Sequence, residues 1–367
     1  MERQNNRMTA VVCHGPEDYR VEQIDRPHPG PSEMVIKISA CGICASDCKC
    51  WSGAKMFWGN GADGSEGWVK PPVVPGHEFF GVIDDLGPDA AEHFGVKPGD
   101  TVIAEQIVPC DRCRYCRGGQ YWMCEVHNIF GFQRKVADGG MSEYMLIPRT
   151  ARVHVIPKAM PLADAAIIEP LACAIHVVNR SDMQLDDVVV IAGAGPIGLM
   201  MVQVAHLRTP KKLIVIDMVK ERRDLALKFG ADVVIDPANE NADAIVKSHT
   251  GGYGCDVYIE ATGVPGGVTQ GLELIRKLGR FVEFSVFGKE TSVDWSIIGD
   301  RKELDIRGAH LGPYCYPIAI DLLDRGLVTS NGIVTHDYAF EDWDEAIKVA
   351  NSLDSIKVLL KPAVQAG

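Results

Sequence analysis

The chain has 367 residues, 46% of them hydrophobic and 23% charged. That is longer than one core usually supports (about 250–300 residues) and too ordinary in composition for a disordered, collagen-like or disulfide-scaffold protein. Lys plus Arg number 37 against 49 Asp plus Glu, a formal net charge of −12, which argues against broad binding to a phosphate backbone. Met1–Met8 is polar where a secretory signal would carry its apolar core, so a cytoplasmic protein is expected.

Through about residue 160 the pattern is short strands, predicted at Met8–His14, Met34–Ala40, Phe79–Leu86, Thr101–Glu105, Glu143–Pro148 and Arg152–Pro157. Gly and Pro clusters at Pro27–Pro31, Pro71–Gly76 and Gly95–Gly99 separate them. This spacing suggests a barrel-like, largely antiparallel domain. From Leu185 strands and helices alternate. Strands are predicted at Val188–Ala192, Leu213–Ile216, Val233–Ile235, Val257–Glu260, Arg280–Phe284 and Leu304–Arg307. Helices are predicted at Ile197–Leu207, Lys220–Phe229, Asn241–Ser248 and Val268–Leu278. Apolar strands in that rhythm imply an α/β fold with a doubly wound parallel sheet. Beyond Gly312 helices are expected near Ile318–Arg325 and Trp343–Ser352, then a closing strand at Lys357–Leu360. Val188–Leu207 carries no Asp, Glu, Lys or Arg over 20 residues, long enough to span a bilayer. Gly193, Gly195, Pro196 and Gly198 break it, so a strand, a turn and a helix fit better than a membrane span.

Gly193-Ala194-Gly195-Pro196-Ile197-Gly198 is a G-x-G-x-x-G between that strand and helix. The first glycine permits the turn, the second lets backbone approach a pyrophosphate, and the third lets helix and strand pack closely. The helix N-terminus offers free N–H groups to phosphate. Asp217 ends the next strand, 19 residues after Gly198. A carboxylate there accepts ribose hydroxyls and repels a 2′-phosphate, which favours NAD over NADP. Lys220, Arg222 and Arg223 follow it, and they would either tolerate a 2′-phosphate or form a solvated helix face.

Four of the 12 cysteines are spaced Cys110-x2-Cys113-x2-Cys116-x7-Cys124. Four thiolates so close can enclose zinc with no open position, a structural site. An iron–sulfur cluster also suits four cysteines. Arg112, Arg114 and Arg117 would suit a nucleic-acid-binding ribbon, which the acidic chain opposes. Cys44, His77 and a carboxylate, Glu78 or Glu169, would instead leave a fourth zinc position for water or substrate. Singly, Cys44 is more often a small buried residue and His77 a satisfied core histidine, so the reading rests on their combination.

In their order, the Cys44 segment, Gly76-His77-Glu78, the cysteine lobe, Glu169-Pro170, the glycine fingerprint and Lys302-Glu303 span nearly the whole chain. The sequence resembles the zinc-dependent medium-chain dehydrogenases. Glu169-Pro170-Leu171 and the segment Gly308–Leu322, with Tyr314-Cys315 and Pro317-Ile318-Ala319-Ile320, resemble the polyol (sorbitol-type) branch. Within it, the chain is similar to enzymes that oxidise erythritol and L-threitol to erythrulose.

The resemblance implies a GroES-like β-barrel catalytic domain from residues 1–167 and 313–367, with the zinc lobe at about 105–128. A Rossmann NAD-binding domain at residues 168–312 is inserted, and the cleft holds a catalytic zinc and the nicotinamide. Cys44 and His77 become zinc ligands, with Glu78 and Glu169 candidates for the third. Asp47 would orient the histidine, and Ser46 would take the substrate proton. Gly193, Gly195, Pro196, Ile197, Gly198, Asp217 and Arg222 are the expected cofactor contacts. The expected partners are a polyol and a second or further copies of the chain, as homodimer or homotetramer, with neither nucleic acid nor membrane. Threonine or a vicinal diol as substrate is one alternative, and a non-catalytic nucleotide-binding protein is another.

Three departures stand out. Lys49 occupies the position of a frequent histidine relay. Ala309–Pro313 lacks the arginine common before the Tyr-Cys pair. Cys44 and His77 lie 33 residues apart, about eight more than the family suggests. The extra segment Trp51–Pro72, with Trp51, Phe57, Trp58 and Trp68, reads either as a surface loop tied down by its aromatics or as a lid favouring short polyols.

Overall fold

A computed structural model describes residues 6–59 and 67–363. The chain divides into two compact units, Met1–Glu169 with Tyr316–Gly367, and Pro170–Cys315.

The first unit is built on a seven-stranded sheet. Its path runs Val334–Ala339, Lys357–Lys361, Met34–Gly42, Glu78–Leu86, Thr101–Ala104 and Val153–Ile156, with Tyr144–Ile147 also paired to Met34–Gly42. Every pairing is antiparallel except that of Val334–Ala339 with Lys357–Lys361. The C-terminal tail therefore lies in the same sheet as the N-terminal strands, and Leu360 pairs with Cys41. Met34, Val35 and Ile36 are fully buried in the central strand. A separate hairpin joins Arg7–Gly15 to Asp18–Asp25. The sequence reading lacked Asp18–Asp25, where only Tyr19 is buried and no apolar alternation signals a strand. It also lacked Val334–Ala339, no residue of which is fully buried.

The second unit holds a six-stranded, wholly parallel sheet. Its order is Val233–Ile235, Lys212–Ile216, Val188–Ala192, Cys255–Glu260, Ile275–Glu283 and Asp305–Gly308. Helices Pro196–Leu207, Lys220–Lys228, Ala242–His249 and Pro265–Leu274 provide connections. All five residues of Val188–Ala192 are buried, as a strand covered on both faces demands. The strand order reverses between Val188–Ala192 and Cys255–Glu260, the switch point where such sheets receive ligands. Helix 265–274 ends earlier than the sequence suggests, and a strand starts at Ile275. The Lys302 amine caps that junction, donating to the carbonyls of Leu272 (2.6 Å), Glu273 (3.0 Å) and Ile275 (2.6 Å).

No helix among the described residues is long and apolar enough to cross a membrane.

Candidate metal centre and nucleotide site

Cys44 is the N-cap of helix Ala45–Trp51, which starts where the strand Met34–Gly42 ends. Its backbone N–H donates to Asp47 Oδ2 at 2.9 Å, which fixes the first turn and holds the carboxylate in the interior. His77 and Glu78 enter from the start of the neighbouring strand Glu78–Leu86. One ligand atom from each of Cys44, His77 and Glu78 lies within 4.8 Å of the others. Asp47 Oδ1 stands 3.7 Å from His77 Nδ1, and the Ser46 hydroxyl 3.4 Å from His77 Nε2.

Acidic groups crowd around His77 in this pocket. Burial alone would lower the His77 pKa, but Asp47 and the Cys44 thiol side outweigh it and hold it well above the usual imidazole value. Burial raises the Asp47 carboxyl, opposed by His77 and by the Cys44 N–H. Asp47 Oδ1, His77 Nδ1 and Glu78 Oε1 are buried with no hydrogen-bond partner among the described residues. Buried polar atoms are rarely left so. A soft thiol, an imidazole and a carboxylate form a donor set that suits zinc and leaves an open position.

Glu78 is held from behind. Lys357 donates from its amine to Glu78 Oε2 at 2.5 Å and to the Ile43 carbonyl at 3.1 Å, with both side chains nearly inaccessible. Gly42 leaves the room, since a Cβ there would collide with the Glu78 carboxylate. Glu169, in the first turn of helix Ile168–Ser181, lies outside the three-residue group. Its Oε1 accepts a hydrogen bond from Gln106 Nε2 at 2.5 Å. The sequence reading missed both Lys357 and Gln106. Lys357 opens an apolar run, and its partner is 279 residues away. Lys49 sits in the last turn of helix Ala45–Trp51.

Of the extra segment, residues 60–66, the heart of the suggested lid, lie outside the described residues. Its flanks are tied down by aromatics. Trp68 stacks on Phe132 at 4.8 Å and Phe57 on Phe132 at 5.5 Å, while Phe132 lies 5.8 Å from the His77 ring. The Trp58 indole N–H donates to the Cys50 carbonyl at 2.7 Å.

The second group that can hold an ion is Cys110, Cys113, Cys116 and Cys124. All of the cysteines are free thiols, yet Cys113 and Cys116 sulfurs stand 3.5 Å apart. The N–H groups of Cys116 and Cys110 point at the sulfurs of Cys113 (3.5 Å) and Cys124 (3.3 Å). Backbone N–H donation, from Cys116 first, pushes the Cys113 thiol down to about 6. Four converging sulfurs with donors aimed at them fit a closed tetrahedral zinc site. The short ribbon of Ile107–Val108 with Asn128–Ile129 closes the base of this lobe.

In the second unit Gly193 turns at φ +97°, and a Cβ on it would crowd the Ala261 carbonyl. A Cβ on Gly198 would collide with the Gly193 carbonyl. These two glycines are required by packing. Gly195 is different, because nothing lies within 4 Å of where its Cβ would stand. Open space at the N-cap of helix Pro196–Leu207 is what close approach of a pyrophosphate requires. Asp217 accepts N–H groups from Ala194 and Val219, both at 2.7 Å, so its carboxylate is fixed against the glycine turn. Arg223 is bound to Asp236 at 2.9 Å and to the Asp217 carbonyl at 2.7 Å, and Lys220 to Asp224 at 2.6 Å. Arg223 and Lys220 thus have carboxylate partners of their own. Arg222 is half-buried beside them.

Two family models match the chain: an alcohol dehydrogenase GroES-like domain over residues 30–158 and a zinc-binding dehydrogenase over residues 196–325. The erythritol/L-threitol dehydrogenase of Mycolicibacterium smegmatis is 47% identical over 358 residues, 97% of this chain and 98% of that protein. The sorbitol dehydrogenase of Halalkalibacterium halodurans is 32% identical, over 95% of this chain and 97% of its own. Among solved structures, an alcohol dehydrogenase of E. coli CFT073 complexed with NADH superposes with a TM-score of 0.83 at 29% identity, covering 97% of this chain and all of that one.

Proposed function

The chain belongs to the zinc-binding alcohol dehydrogenases, and from that premise we propose that it oxidises a secondary hydroxyl of a four-carbon sugar alcohol, erythritol or L-threitol, to erythrulose with NAD as acceptor. The supporting observation is the Cys44–His77–Glu78 group, whose ligand atoms converge within 4.8 Å of one another, with the Ser46 hydroxyl beside His77. The similarity to a tetritol dehydrogenase across the chain supports the substrate class.

Bound zinc supplies a Lewis acid that lowers the pKa of a substrate hydroxyl, and bound NAD supplies the hydride acceptor. The remaining work falls to this chain. Cys44 and His77 would hold the metal, with Glu78 as third ligand and Glu169 as the alternative. Asp47 fixes the ring orientation of His77. Ser46 Oγ would relay the substrate proton, accepting it from the substrate oxygen as its own hydroxyl proton passes on toward solvent. The carbinol C–H bond breaks with its electron pair leaving as hydride, so the alcohol becomes a ketone and one proton is released. Gly195 and the N–H groups that follow it receive the pyrophosphate, and Asp217 receives the adenosine ribose hydroxyls. In the same proposal residues 1–167 with 313–367 form the catalytic domain, residues 168–312 the nucleotide domain, and the enzyme is a homodimer or homotetramer.

The test is initial NADH production with erythritol, both threitols, xylitol, ribitol and sorbitol, and with ethanol and threonine as outgroups. NAD and NADP are compared side by side, with zinc counted in each preparation. The expected result is an NAD-linked signal largest on the tetritols, with two zinc ions per chain. A signal largest on pentitols or sorbitol would overturn the short-substrate reading. Silence on every polyol with both zinc ions bound would overturn the polyol reading.

A further inference from the structure

Glu105 and Gln106 leave the strand Thr101–Ala104 as neighbours, both almost fully buried, and their side chains serve different sites. Glu105 faces the cysteine lobe. Its Oε2 accepts the Tyr121 hydroxyl at 2.7 Å, and Tyr121 stands three residues before Cys124. Its Oε1 lies 3.0 Å from His154 Nε2, and its N–H donates to the Arg152 carbonyl at 2.8 Å. The Arg152 side chain reaches back to the lobe, pairing with Asp111 at 2.7 Å and covering the Tyr121 ring at 5.5 Å.

Gln106 faces the metal centre. Its Nε2 donates to Glu169 Oε1 at 2.5 Å, and its Oε1 accepts the Tyr316 hydroxyl at 2.6 Å. Its N–H donates to the same Tyr316 oxygen at 3.2 Å. Tyr316 is fully buried and stacks on His154 at 5.4 Å. Glu105, His154, Tyr316 and Gln106 therefore close a ring, with Tyr121 of the lobe on one side and Glu169 on the other.

We propose that Gln106 is a positioning residue that fixes the orientation of Glu169, and that this ring transmits the state of the four-cysteine lobe to that carboxylate. An amide anchored at both ends offers one fixed N–H, and a carboxylate bound to it has one orientation where it would otherwise have several. Glu169 is thereby kept out of the Cys44–His77–Glu78 group, and the position for substrate stays open. Without the amide, Glu169 swings toward the metal and competes with substrate.

The inference rests on the metal reading above, and the experiment separates the two. Cobalt(II) is exchanged into the whole enzyme, and the visible band that Cys44→Ser or His77→Ala removes defines the signal of this centre. If neither variant removes a band, the metal reading falls and the inference with it. If the band exists, Gln106→Leu is expected to shift it and to raise the substrate KM about tenfold at unchanged metal content. Tyr316→Phe, which leaves the amide but loosens it, is expected to shift the band the same way by less. Tyr121→Phe, which removes the hydroxyl donated to Glu105, is expected to shift it measurably, and its effect with Gln106→Leu is expected to be less than additive. A band unmoved in Gln106→Leu and Tyr316→Phe overturns the positioning role, and a band unmoved in Tyr121→Phe overturns the link to the lobe. Should Gln106→Leu fail to fold, the two tyrosine variants decide it alone.

Discussion

The two groups of the first unit that could hold a metal ion gather their donors in opposite ways. The cysteine lobe draws all four donors from Cys110 to Cys124, keeps three of them partly exposed, and steadies them with backbone N–H groups. The Cys44–His77–Glu78 group draws its donors from two separate segments and buries two of the three. Its charge is balanced by Lys357, from the far end of the chain. A closed lobe needs only local geometry and leaves no room for chemistry. An open, buried centre needs counter-charges that the whole fold must deliver, because removing an ion from water costs several kcal/mol unless it is matched.

The sharpest test of that contrast is to remove one counter-charge from each site. Lys357→Met keeps the volume but leaves Glu78 buried beside an apolar side chain. Loss of one partner of a buried pair costs about 3–5 kcal/mol, so denaturant unfolding should show a loss of that size. Asp111→Asn breaks the half-exposed Asp111–Arg152 pair at the lobe, where surface pairs contribute at most about 1 kcal/mol. Equal losses in the two variants would break the comparison. A second test counts metal. Cys44→Ser and Cys113→Ser should each lower zinc from two ions per chain to one. Only Cys113→Ser should also lower the melting temperature by about 5 °C, roughly 2 kcal/mol for a unit of this size. A thermal loss confined to Cys44→Ser would reverse the assigned roles.

The same contrast explains what the sequence discloses. The lobe is legible because its ligands repeat at short intervals. The glycine turn is legible because strand, fingerprint, helix and acid follow one another within 30 residues, Val188 to Asp217. Cys44, His77 and Glu78 become a site only once strands Met34–Gly42 and Glu78–Leu86 pair, with Gly42 opposite Glu78. Lys357 was hidden by its setting, since the run from Lys357 to Leu360 reads as an ordinary closing strand while its first residue is a buried counter-ion. Gln106 carried no signal, because a single amide between two strands has no periodicity to betray it. The nucleotide site allows a milder test of legibility. Asp217→Ala removes the acceptor for the ribose hydroxyls and for the Ala194 and Val219 N–H groups. Losing a hydrogen-bonded charged acceptor costs about 1.5–3 kcal/mol. The NAD KM should therefore rise by at least about tenfold, and the NAD-to-NADP ratio of kcat/KM should fall. An unchanged ratio would remove Asp217 from the cofactor reading.

The smallest effect concerns carboxylates that are not matched. Around the metal centre Asp47 faces His77, Glu78 faces Lys357 and Glu169 faces Gln106. In the parallel sheet Glu260 and Glu283 occupy paired positions on adjacent strands. Glu260 takes the hydroxyl and N–H of Thr262, while Glu283 Oε1 is buried with no partner among the described residues. Burial first, then the Glu260 charge, pushes the Glu283 carboxyl up to about 7 from 4.5. The folded protein therefore binds a proton that the unfolded chain has released between those two pH values. Stability falls as pH rises through that window and stays lower above it. Glu283→Gln removes the proton-dependent part, so the variant should gain on the parent protein at pH 8 and not at pH 4.5. At about 1.4 kcal/mol per pH unit the ceiling is about 3 kcal/mol, and the partial exposure of Glu283 reduces the expected gain to about 1 kcal/mol. Unfolding curves of the two proteins at both pH values measure it. A gain of equal size at both would mean that the unmatched pair carries no charge penalty, and that the contrast between the two units is one of packing alone.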